Sequence, residues 1–210
     1  MPRVPPELER ADLSDLSHDA SLREIELVGT DLRDQRASGV SFDCAKLSDV
    51  ALSGGRLDHL SFTDCRLSAC NIANVQARGA SMTRVSIETS RLTGLALSEA
   101  TLRDVTVTGC RVDLASFAAC KLTRVTFADC LLTQTDFLEA RLEAVRFHNC
   151  DLTRADFRGA RLKQCELRRS NLAGLLGVQD LRGAAMEWGD VIAMAGEFAL
   201  ALGIEILDAD

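Results

Sequence analysis

Eight cysteines and three histidines are the side chains of this 210-residue sequence best suited to metal or nucleophilic chemistry. A zinc site would need cysteines paired two to four residues apart, with further Cys or His at fixed spacing. Cys65 and Cys70, four residues between them, form a single pair of that kind with no second pair or His at fixed spacing, and His18, His59 and His148 are scattered along the chain. His148-Asn149-Cys150 sets an imidazole near a thiol, as a base and nucleophile would be set. Inward Cys150 and outward His148 are expected to point apart. The phosphate-cradling G-x-x-x-x-G-K-[ST], the dinucleotide G-x-G-x-x-G opening a helix after a strand, and the nucleophile elbow G-x-S-x-G are all missing. No catalytic, cofactor-binding or metal-binding residue is assigned, and an enzyme is not expected.

The cysteine spacing belongs to a longer pattern. In fives from Ala20, the chain reads ASLRE IELVG TDLRD QRASG VSFDC AKLSD and continues through CKLTR VTFAD CLLTQ TDFLE to SNLAG. There are 31 such pentads to Gly174, and the third residue of every one is apolar, with Ala37 and Ala77 the smallest. The first residue is Ala, Cys, Val, Ser, Thr or Gly, except at Ile25, Gln35, Leu60 and Leu95. Positions two, four and five carry most of the polar and charged side chains. A helix repeats near 3.6 residues and a strand at 2. A period of five with one small and one large inward residue fits a chain that turns a corner after each pentad.

The pentads resemble the pentapeptide-repeat family, whose motif is roughly A-(D/N)-L-x-x. ADFRG, CDLTR, TDLRD and SNLAG come closest. The resemblance implies an all-β solenoid, a right-handed quadrilateral β-helix with four pentads per coil. Residues 20 apart then stack: Phe117, Phe137 and Phe157 form one core column, and Cys110, Cys130 and Cys150 lie in another with Cys70. Seven cysteines take the small inward position, as slightly larger alanines; only Cys44 points out. Gly54, Gly55 and Gly94 fall at corners, where unusual backbone angles are tolerated. At about 4.8 Å per coil, nearly eight coils make a rod of roughly 37 Å.

Three segments follow. Residues 1–19 are out of register and read as a loose lead-in and partial first coil, 20–174 as the β-helix, and 175–210 as a linker, a helix and a short strand at Ile204-Glu205-Ile206-Leu207. The helix takes Asp190 as its expected N-cap, Gly203 as its stop, and Val191, Met194, Ala195, Phe198 and Leu202 as the stripe that covers the last coil. Apolar residues extend well beyond one stripe, which predicts burial on two sides and a symmetric homodimer. Trp188, Val191, Ile192, Ala195, Phe198, Ala199 and Leu202 are the expected interface. The ending resembles the dimerisation module of the bacterial topoisomerase-protecting members of the family. That resemblance implies a DNA mimic that binds DNA gyrase or topoisomerase IV and confers quinolone-type antibiotic resistance. The alternative is a structural scaffold for a partner unrelated to DNA enzymes.

Charge complicates the mimic. The net charge is −7, but residues 1–19 hold −3 and residues 175–210 hold −6, which leaves the repeat body at +2. Acidity therefore sits at the ends. Direct nucleic-acid binding is not expected, nor is a small-molecule substrate or cofactor, since a filled rod offers no concave pocket. MPRVPPELER lacks the apolar core of a signal peptide, and no run reaches the roughly 18 residues of a membrane span. A cytoplasmic protein with free thiols is expected.

Overall fold

The computed structural model describes residues 1–207. It is a β-solenoid of about nine turns with short helices at its C-terminal end. The repeat is 20 residues: Ser41 pairs with Ser61, Ser61 with Ser81, Ser81 with Thr101, and Thr101 with Lys121, all in parallel. Two of the four sides carry continuous parallel ladders, which merge into eight-residue strands at Ser81–Glu88, Thr101–Thr108 and Lys121–Ala128. The other two sides are joined mainly by single bridges such as Asn71 to Arg91 and Ser116 to Asp136.

The corners have a common cause. Every fifth-position residue from Asp19 to Gly174 has a positive φ, between +46° at Thr89 and +75° at Gly54. One left-handed residue per pentad bends the chain and directs its N–H to the next coil along the chain, as Asp34 N–H donates to Ser53 O at 2.9 Å. Glycine accepts this conformation freely, whereas other L-residues pay roughly 1–2 kcal/mol each. Hydrogen bonding between coils and burial of both inward residues offset that cost. From Leu27 to Leu172 every third-position side chain is buried.

Phenylalanines stack down the core. The Phe117 and Phe137 ring centroids are 5.2 Å apart, Phe137 and Phe157 4.8 Å, Phe127 and Phe147 5.3 Å, and Phe42 and Phe62 5.0 Å. Neighbouring columns meet edge to face, Phe137 against Phe147 at 5.6 Å.

Both ends differ from the five-residue reading. The lead-in is not loose: Pro2 is buried, and Arg3 N–H donates to Asp64 Oδ1 at 2.9 Å. Glu9–Arg10 pairs with Ile25–Glu26, an offset of 16 rather than 20, so the first coil is a shortened one. At the other end, pairing continues past Gly174. Ala184–Met186 pairs with Cys165–Leu167 at an offset of 19, which closes one further, tighter coil. Gly183 makes this possible at φ +90°. A methyl there would run into the Leu162 carbonyl oxygen, with its carbonyl carbon at 3.1 Å. Gly183→Ala is expected to cost the cap about 3 kcal/mol from backbone strain and overpacking together. Because coils contact only their neighbours, hydrogen exchange should quicken in residues 175–207 while the central coils keep their protection. Unchanged protection of that end would contradict the assignment.

The terminal helix begins earlier than its sequence suggests and is interrupted. Helix α1 spans Trp188–Ala193 with Glu187 as N-cap, and α2 spans Ala195–Ala201 after a break at Met194. Asp190 is not the cap. Its carboxylate reaches the repeat body and accepts the Arg169 N–H at 3.0 Å, on the open edge of the preceding coil. Residues 204–207 form no strand; Ile204 N–H instead donates to Ala199 O at 2.9 Å. Neither helix is long and apolar enough to cross a membrane.

Candidate interaction surfaces

Seven of the eight cysteines lie in the core, and Cys44 is half-buried outside it. Cys110, Cys130 and Cys150 stack in one column with Ser90 and Ser170, and each thiol donates to backbone carbonyls, Cys150 to His148 O at 3.3 Å and to Phe127 O at 3.5 Å. Cys120 Sγ donates to Leu97 O at 2.7 Å. Burial pushes Cys65 and Cys120 up to about 12 and also raises Cys70 and Cys165. These are protonated, inaccessible thiols, the opposite of nucleophiles. The His148 imidazole faces Glu166 instead, with Nε2 3.4 Å from Oε2, so the residues of the 148–150 triplet do not converge.

The rod's outer surface is laced by ion pairs between successive coils. Glu26 pairs with Lys46 at 2.6 Å, Asp64 with Arg84 at 2.6 Å and Glu143 with Lys163 at 2.6 Å, each pair 20 residues apart. Other pairs lie within one pentad, as Asp156 with Arg158 at 2.6 Å. Exposed pairs of this kind add little stability. Their effect is to neutralise the sides, so that most charges on the body are answered by a neighbour. Asp64 is the most enclosed: it accepts Arg84 and the Arg3 N–H together, and the Arg84 guanidinium holds its carboxyl below the usual range.

The C-terminal cap is apolar on two sides. Met194 is buried at 3% exposure, and Phe198 packs partly buried against the core cluster. Outward, Trp188, Ile192, Leu200, Leu202, Ile204, Ile206 and Leu207 are 54–81% exposed. Of the expected interface residues, Trp188, Ile192, Ala195 and Leu202 face out, while Val191, Phe198 and Ala199 are half-buried. The inner stripe is thus Met194 and Phe198, with Ala195 and Leu202 turned away from it. Leu200, one of the residues that carry the tail's apolarity beyond a single stripe, is 67% exposed and joins the outward patch.

The surroundings of this patch are acidic. Glu187, Asp190, Glu197 and Glu205 flank it; Asp208 and Asp210 lie outside the described residues.

A family model described as "Pentapeptide repeat region" matches residues 80–137 and 114–175, and one described as "Pentapeptide repeats (8 copies)" matches residues 18–54 and 45–84. Among curated proteins none matches. Solved structures with a similar fold include HetL, a pentapeptide repeat protein involved in heterocyst differentiation regulation from the cyanobacterium Nostoc. It is 21% identical over 83% of this chain and 92% of its own, with a TM-score of 0.53. Full-length QnrB1, a plasmid-mediated fluoroquinolone resistance protein, is 16% identical over 87% of this chain and 99% of its own, with a TM-score of 0.41. At these identities the likeness is one of fold.

Proposed function

We propose that this chain, which belongs to the pentapeptide-repeat family, is a non-enzymatic rod that pairs with a second copy through its C-terminal cap and offers its sides to a protein partner. The observation that carries this is the outward apolar patch of Trp188, Ile192, Leu200 and Leu202. Four such side chains from each of two copies would gain on the order of 10–20 kcal/mol on burial before the cost of association. A twofold contact uses the same patch on both copies, and the free thiols suit a cytoplasmic setting.

Substituting Ile192→Asp and Leu202→Asp together should weaken pairing by at least about a thousandfold, since each change counts twice in a symmetric contact. Light scattering would then read one chain per particle, with the β-sheet circular dichroism unchanged. An intact dimer would remove the cap from the interface. Phe198 is unsuitable for this purpose, because its loss would loosen the cap itself.

The acidic end favours one partner class. Pairing through the cap would gather −12 from the two 175–210 segments at the junction. A type II topoisomerase, DNA gyrase or topoisomerase IV, would meet this as a partial mimic of DNA phosphates, with quinolone-type resistance as a consequence. Micromolar protein should then inhibit gyrase supercoiling or protect it from a quinolone. Neither effect would leave the second reading, a scaffold for a partner unrelated to DNA enzymes, which the near-neutral body favours.

A further inference from the structure

Among the described residues, several cations of the body, Arg36, Arg66, Arg91, Arg103 and Arg154 among them, have no acidic partner, but only one row sets three such cations on successive coils. Lys121, Arg141 and Arg161 are direct register partners on adjacent parallel strands, each about 4.8 Å from the next. All three are exposed, and among the described residues none has an acidic partner or a side-chain hydrogen bond. Like charges set directly opposite one another destabilise a ladder, so this row gains the fold nothing. The contrast lies two positions away on the same strands and the same outward face, where Glu143 and Lys163 pair at 2.6 Å, and on the next corner, where Arg124 holds Asp104 with a 2.8 Å contact. Above Lys121 the same column continues as hydroxyls, Thr101, Ser81 and Ser61, with Ser81 Oγ donating to Ser61 Oγ at 2.9 Å. Asp180, beyond Arg161 at the lower end, is already committed to the Gly159 N–H at 2.9 Å.

We infer that this column is a docking strip for an extended acidic segment of a partner protein, laid along the rod axis with its carboxylates on Lys121, Arg141 and Arg161. Guanidinium forks match carboxylates two bonds at a time, and the hydroxyls extend the strip with uncharged donors. Nucleic acid fits less well. The three cations form a straight row only about 10 Å long, the protein is net negative, and no aromatic side chain lies exposed on the strip to stack a base. This inference rests on the reading that the rod's sides bind protein, but not on pairing at the cap.

The test is fluorescence anisotropy with a fluorescein-labelled decaglutamate peptide, against the triple variant Lys121→Gln, Arg141→Gln, Arg161→Gln. A control triple variant removes Arg66, Arg91 and Arg111 on other sides. The strip variant should lose at least tenfold in affinity while the control stays within twofold, and salt should weaken wild-type binding steeply. Thermal melts should show the strip variant as stable as wild type or slightly more so, because a like-charge stack has gone. No peptide binding by wild type, equal binding by both triple variants, or tighter binding of a labelled single-stranded oligonucleotide of equal charge would each overturn the assignment. Light scattering on the same samples reports pairing separately, so failure of the strip and failure of the cap interface are distinguishable.

Discussion

Phe137→Ala should lower the stability of the rod by about 4 kcal/mol, a full-sized loss for a buried phenylalanine. The ring is fully buried, stacked on Phe117 at 5.2 Å and Phe157 at 4.8 Å, and meets Phe147 and Phe127 edge-on at 5.6 and 6.5 Å. Each aromatic contact adds roughly 0.5–1.5 kcal/mol beyond buried area, and close packing leaves the neighbours little room to fill the cavity. Phe62, whose one ring contact is Phe42 at 5.0 Å, should cost less on the same change. Because coupling in a solenoid passes only between neighbouring coils, the Phe137 variant should also unfold less cooperatively, with a reduced denaturant slope. Equal losses at Phe62 and Phe137, with no change of slope, would mean that the column does not join the halves of the rod.

Raising the pH above 9 should destabilise the protein strongly, and through its thiols. The sequence has no tyrosine and only three lysines, so cysteine dominates alkaline titration. Cys65 and Cys120 are raised by burial from 9.0 to about 12. The sign follows from proton binding. Between these values the unfolded chain has released its thiol protons and the native rod has not, so stability is full below pH 9 and falls as pH climbs towards 12. Three units correspond to about 4 kcal/mol per thiol at the upper limit. Melting temperatures in reducing buffer should hold up to about pH 9 and then drop steadily to pH 11, and Cys65→Ala with Cys120→Ala should flatten that drop. An unchanged slope would show that these thiols are not the groups responsible.

The third position of each pentad sufficed to place the core, because a five-residue period and a 20-residue coil leave one solution for which side chains stack. Gly54 and Gly94 were legible as corners for the same reason. The positive φ at the corners Arg84, Thr89, Leu114 and Arg124 was not, since these residues disfavour it and adopt it only because the coils on either side impose it. The end coils, with offsets of 16 and 19, lay beyond reach because a period says nothing once it is broken. The surplus apolarity of the tail signalled an outward face, but which residues occupy it follows from how the helices sit on the last coil, with Met194 and Phe198 turned in. The row of Lys121, Arg141 and Arg161 is invisible along the chain and emerges only when the coils are laid over one another.

Small-angle X-ray scattering of the unmodified protein tests the pairing of two rods at their caps most directly. A rod of about nine turns is close to 43 Å long, and two joined at their C-termini span about 90 Å. The predicted result is twice the 22.7 kDa chain mass with a maximum dimension near 90 Å. A particle of single-chain mass, or one of doubled mass but only about half that length, would contradict it.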